Sequence, residues 1–211
     1  MSKHPMTETT TCLIDLLRHG EPEGGVMYRG RRDDPLSETG WAQMRRATAG
    51  ISSWQHVVSS PLQRCQAFAR ELADARGLPL TVESGLCEIS FGDWEGLTPE
   101  QVEARDGDRL AAFWADAERH PPPGGEPVSL FHQRVASAWH ALLDTPPGEH
   151  LLIVAHGGVI RMILAEVLGL SPARAMAGFQ VPFACRTRVR MDLTPHGRLV
   201  SLTSHGLAEA L

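Results

Sequence analysis

The chain has 211 residues, a formal net charge of −5, 42% hydrophobic residues and 21% charged ones. That balance suits a folded globular chain rather than a disordered one, and a pI near 6.0 argues against a nucleic-acid binder relying on a broad basic surface. The cysteines (Cys12, Cys65, Cys87, Cys185) form no C-x-x-C pair, so they read as reduced thiols rather than a disulfide frame or a zinc site. The opening MSKHPMTETTT lacks the apolar core of a secretory signal, and no apolar run approaches membrane-spanning length. The expectation is a cytoplasmic protein with one domain over 1–211, residues 1–11 being a flexible tail.

In chain order, CLIDLL (Cys12 to Leu17) is short and mostly apolar, as a strand covered on both faces is. Asp15 is the exception: alternation puts it on the face of Leu13 and Leu17, and the sequence gives no reason for a carboxylate there. PLSETGWAQMRRATAGI predicts a helix capped by Ser37, and HVVSS a second strand ending at Ser60. In SPLQRCQAFARELADARG, Ser60 is the expected cap, Pro61 the first helical residue and Gly77 the stop. LPLTVE is a third strand candidate. Thr98 to Arg119 reads as a helix with a capping box in TPEQ. HPPPGGEP is a loop, and Val128 to Leu143 another helix. Leu151 to Ala155 predict a buried strand, His156-Gly157-Gly158 a tight turn, and Val159 to Leu168 a helix. CRTRVRMDL and RLVSLTS, joined by TPHG, predict a terminal hairpin. Strands alternating with helices imply an α/β fold with a mostly parallel sheet.

Three strand ends carry cationic or donor residues: Arg18-His19-Gly20, Ser59-Ser60 leading to Arg64, and His156-Gly157-Gly158. In open α/β sheets ligands sit beyond the carboxyl ends of the strands. If these strands are neighbours, two arginines and two histidines share a small volume, with Arg64 in the first turn of its helix. Such a cluster needs an anion, and a phosphoryl group fits it. Taken singly, His156 reads equally as a hydrogen-bonded turn histidine and Arg64 as a solvated helix arginine. The remaining histidines (His4, His56, His120, His132, His140, His150, His196, His205) read as surface or packing residues.

LLRHGE, SSPLQR, EISFGDWEG and VAHGG, in this order, resemble the motifs of the histidine phosphatase superfamily, in its phosphoglycerate mutase-like branch. The resemblance implies a three-layer α/β/α fold. It also implies a phosphohistidine on His19, phosphoryl oxygens held by Arg18, Arg64 and His156 with Gly157, and Glu88 as the acid that protonates the leaving oxygen and then activates water. Glu88 would then start protonated, through partial burial or the nearby phosphate. No metal or cofactor is implied, and no H-E-x-x-H spacing occurs. The C-x5-R spacing of Cys12 and Arg18 is a rival phosphate motif, but its intervening residues are strand-like and cannot form a nest of amides.

Many members place an asparagine where this chain has Gly25; Tyr28, Arg29 and Arg31 are candidates to compensate, or are solvated loop residues. FGDWEG, and a shorter stretch before His156 than the glycolytic mutases have, resemble the phosphatase branch. Within it, the chain resembles the α-ribazole phosphatase group, which implies a small phosphorylated metabolite as the partner, in a monomer or homodimer. Trp94, Trp114 and Phe113 are candidates for an aromatic wall and equally for the core, and Phe113 reads as core. Phosphoryl transfer of the mutase kind is the second reading, and a catalytically silent phosphate-binding protein the third. Pro121 to Pro127 is a candidate lid in which proline stands where the family carries serine after Gly124-Gly125-Glu126.

Overall fold

A computed structural model describes residues 9–206. Its core is a six-stranded sheet in the order β3-β2-β4-β1-β5-β6. The strands are β1 (Thr10–Arg18), β2 (His56–Ser59), β3 (Leu80–Val82), β4 (His150–Ala155), β5 (Arg186–Thr194) and β6 (Gly197–Gly206). β1 to β4 run parallel, while β5 returns antiparallel beside β1 and carries β6 at the edge. Every residue of β4 is buried, which is why it reads as a continuous apolar run rather than an alternating one.

Alternation along β1 divides the core. Cys12, Ile14 and Leu16 join the apolar cluster under α3 (Pro99–Ala115), α4 (Val128–Asp144), α5 (Gly157–Leu168) and α6 (Pro172–Gly178). Leu17 joins the cluster under α1 (Glu38–Thr48) and α2 (Gln63–Arg76). The result is the expected three-layer α/β/α fold. The chain leaves β1 towards one face and β4 towards the other, although the two strands are neighbours. A crevice opens at such a point in doubly wound sheets.

Several local expectations change. Thr10 and Thr11 belong to β1 because they pair with Leu193 and Asp192, so neither belongs to a flexible tail; residues 1–8, the rest of that expectation apart from Thr9, lie outside the described residues. Helix α2 starts at Gln63 with Leu62 at its cap, because the Ser60 hydroxyl is committed to the His156 ring and to the Leu62 N–H. Gly157 and Gly158 are no turn but the first residues of α5, with His156 at its cap. Helix α3 stops at Ala115 rather than Arg119 and kinks at Asp106, whose carboxylate accepts Trp94 Nε1 and Arg105 Nε. Helix α6 was missed, although Ser171 as cap and Pro172 as first residue are the signals of a helix start.

Asp15 has a structural account. Its fully buried carboxylate accepts Arg188 Nε (2.8 Å) and Nη2 (2.9 Å) and Trp54 Nε1 (2.8 Å), and lies 3.1 Å from His150 Nε2. Burial alone would raise its pKa; the hydrogen bonds from Arg188 and Trp54 and the Arg188 charge outweigh that and hold it below the usual value. Removing one member of a buried ionic cluster strands the others. Asp15→Ala should therefore cost about 3–5 kcal/mol in urea unfolding, far more than an exposed charge. A depressed carboxyl contributes stability above its unfolded pKa and loses it as pH falls through the folded one. The wild-type excess over Asp15→Ala should accordingly persist at neutral pH and shrink below about pH 4. An excess that is flat from neutral to strongly acidic pH would refute this account.

Candidate active site at the strand ends

Strand register brings the three motifs level. Arg18 pairs with Ala155 and Ser59 with Val154, while His19 N donates to Ala155 O (3.0 Å) and Ser60 N to Val154 O (3.0 Å). The chain then needs a residue without a side chain: a Cβ on Gly20 would strike the backbone of Gly40 in α1. That answers why an apolar strand ends in arginine, histidine and glycine. His19 and His156 meet with ring centroids 5.2 Å apart.

His19 is buried, and its Nδ1 lies 2.7 Å from Gly20 O. A carbonyl only accepts, so the proton sits on Nδ1 and the Nε2 lone pair is left free. Burial, then Arg18 and Arg64, hold the imidazole well below its usual pKa against the opposing Gly20 bond, so it is neutral near pH 7. Arg18 donates Nη1 to Val181 O (2.5 Å) and stacks 4.2 Å from the Phe183 ring centroid. Burial draws its pKa down to about 10 against the opposing pull of Glu88, which leaves it charged. Arg64, 1% exposed, donates Nη1 to Arg32 O (2.7 Å) and Nη2 to Gly30 O (2.8 Å). The Nε atoms of both arginines are buried and lack a hydrogen-bond partner among the described residues.

Glu88 comes from an irregular segment after β3. Its Oε1 accepts Ile89 N (3.0 Å) and its Oε2 accepts Gly158 N (3.1 Å), at the start of α5. A Cβ on Gly158 would overlap Glu88 Oε1, so the second glycine of the motif makes room for the acid.

Arg18, His19, Arg64, Glu88 and Gly157 line one cavity of about 200 Å³. Tyr28 and Arg29 line it too, from the loop after β1. Arg29 is tied down by Asp34 and by the carbonyls of Glu23 and Gly25. Gly25 has a φ of +76°, a left-handed conformation that glycine adopts without strain. Arg31 turns away to Glu126 (3.3 Å). His156 is not in the lining: fully buried behind His19, it shares a 2.7 Å hydrogen bond with Ser60 Oγ. Burial, then Arg64 and His19, keep it neutral as well. Of the aromatic wall, Trp114 lines the cavity and donates to Tyr28 OH (3.3 Å), whereas Trp94 and Phe113 are core. Sequence reasoning missed Arg161, Phe183, Met176 and Val26 in the lining. Arg161 lies one turn beyond Gly157, and that spacing was a usable signal.

A sequence model of the Histidine phosphatase superfamily (branch 1) matches residues 14–203. Adenosylcobalamin/alpha-ribazole phosphatase of Escherichia coli (strain K12) is 31% identical over 84% of this chain and 89% of its own length. Glucosyl-3-phosphoglycerate phosphatase of Mycolicibacterium vanbaalenii is 35% identical over 74% of this chain and 73% of its own. Among solved structures, a mycobacterial glucosyl-3-phosphoglycerate phosphatase superposes with a TM-score of 0.81 at 28% identity, covering 94% of this chain and 100% of that one. A putative alpha-ribazole-5'-P phosphatase from Escherichia coli gives 0.78 at 28% identity, covering 92% and 96%.

The fit between Gly158 and Glu88 can be tested alone. In Gly158→Ala the added methyl displaces the carboxylate, and phosphate-ester turnover should fall about 10²-fold while inorganic phosphate still binds. Turnover within a factor of about three of wild type would show that this contact does not matter.

Proposed function

The chain belongs to the histidine phosphatase superfamily and is a phosphoric monoester hydrolase, and from that premise we propose that His19 carries the phosphoryl group and Glu88 moves the proton. The observation that carries this reading is the Nδ1–Gly20 O hydrogen bond, which aims a neutral Nε2 into the cavity that Arg18 and Arg64 line. His19 Nε2 attacks phosphorus, and the phosphorus–oxygen bond to the leaving group breaks as that oxygen takes a proton from Glu88. The proton arrives with the monoanionic ester, whose second ionisation lies near about pH 6. Water then attacks the phosphohistidine and gives its proton to Glu88, and the P–N electron pair returns to Nε2. The guanidinium groups are already held by backbone carbonyls, so charge on the equatorial oxygens is stabilised without reorganisation. His156 acts from behind, buttressing His19, and its contact with phosphoryl oxygen is the weaker part of the family pattern here.

For the substrate we propose α-ribazole 5'-phosphate or a close nucleotide relative. Support comes from the name of the Escherichia coli relative and from Tyr28 and Trp114, whose planar rings line the cavity beside the apolar Val26 and suit an aromatic base. One observation favours a phosphorylated glycerate as the second reading. Arg161 donates only Nε, to Phe179 O (3.0 Å), and its remaining N–H groups have no acceptor among the described residues. A carboxylate beside the phosphate would supply one.

Wild-type protein mixed with 4-nitrophenyl phosphate should release 4-nitrophenol in a burst and leave an acid-labile phosphoryl label. Both should vanish in His19→Ala and survive in Cys12→Ser; the reverse pattern would install the cysteine as nucleophile. Because His19 is held below its ordinary pKa, the acid limb of kcat/KM should lie below about 6.5. In a panel of phosphorylated metabolites, α-ribazole 5'-phosphate should exceed the others, and comparable slow turnover of all would count against it. Phosphate moving within phosphoglycerate with little release would mark a mutase, and no turnover from roughly pH 5 to 8 a silent phosphate binder.

A further inference from the structure

The segment that carries Glu88 lies outside the sheet and the α-helices, between the short turn Ser84–Leu86 and the turn Gly92–Trp94. Backbone carbonyls that are buried need donors, and a strand or helix would normally provide them. Here one side chain does so. Arg134, on α4, donates Nη1 to Gly85 O (2.9 Å) and Cys87 O (2.6 Å), and Nη2 to Glu88 O (3.0 Å). The same guanidinium is held by Glu126, through Nε to Oε1 (2.8 Å) and Nη2 to Oε2 (2.9 Å). It also lies 4.8 Å from the ring centroid of Phe131. Glu126 adds its own backbone tie, N to Ser90 O (2.9 Å), and pairs with Arg31 of the cavity loop.

We propose that Arg134, fixed by Glu126, is a positioning residue for Glu88: its planar fork sets where the carboxyl stands relative to the leaving oxygen. The inference rests on Glu88 being the proton carrier. It gives the Gly124-Gly125-Glu126 loop a function that does not need the missing hydroxyl at position 127. Lysine cannot substitute, because a point charge on a flexible stem cannot bridge three carbonyls and a carboxylate at once.

The test compares kcat/KM, which reports the step in which the leaving group departs, for two esters of similar shape. Benzyl phosphate expels an alkoxide that must be protonated; 4-nitrophenyl phosphate expels a phenolate that need not be. Arg134→Met and Arg134→Lys should lower kcat/KM about 10²-fold for benzyl phosphate and less than about 5-fold for 4-nitrophenyl phosphate. Glu126→Gln, which keeps the shape and loses the charge, should shift the ratio in the same direction by a smaller factor and stands in if Arg134→Met does not fold. Glu88→Gln should show the same ester dependence. An equal fall on both esters makes Arg134 merely structural, and a wild-type ratio makes it irrelevant; either overturns the proposal, as does a Glu88→Gln variant that loses both esters equally. Failure of the phosphatase reading looks different, since wild type would then turn over neither ester.

Discussion

The structure depends on holding two guanidinium groups and two neutral imidazoles together at the end of one sheet, with no direct ion pair to either guanidinium among the described residues. Arg18 and Arg64 stand out of bulk water, and each keeps a buried Nε with no acceptor among those residues. Burial of charge is costly unless something compensates. What compensates in the resting protein is backbone: Val181 O for Arg18, and Gly30 O and Arg32 O for Arg64. These carbonyls fix the forks in place but carry no full negative charge. Burial first, and the two guanidinium charges second, keep the neighbouring imidazoles unprotonated.

The same strand shows the opposite solution a few residues earlier. Asp15 is as buried as any group in the site, yet Arg188, Trp54 and His150 surround both its oxygens. A buried charge completed by its own neighbours holds the sheet together; one left incomplete binds a ligand. Along β1 the transition from the first to the second takes place between Asp15, in mid-strand, and Arg18, the last residue of the strand in register with β4.

What was legible in the sequence follows that division. Arg18, His19 and His156 could be placed because strand ends are marked by apolar runs followed by glycine, and strand adjacency then makes them converge. Arg64 needed its motif, since a helical arginine has no local sign that it will be buried. Asp15 was visible as an anomaly but not explicable, because Trp54, His150 and Arg188 come from three distant places in the chain. Arg134 was invisible for a related reason: it looks like any arginine on an amphipathic helix until the carbonyls it serves are located. The setting of His156, fully buried beside His19 rather than in the lining, is a question of depth, and a one-dimensional pattern contains no depth.

The division also separates what can vary from what cannot. The phosphoryl end of the cavity is built from strand termini and helix starts, whose positions are fixed by register and by glycines that leave no room for a Cβ, such as Gly20 and Gly158. Glu88 does not come from those strand ends: it arrives on an irregular segment whose carbonyls are held by the Arg134 side chain. The mouth is different again: Val26, Met27 and Tyr28 come from a loop and Trp114 from the last turn of α3. Loops and helix ends accept substitution without disturbing the sheet. Relatives named for different phosphate esters can therefore share the floor of a site of this kind while differing at its rim.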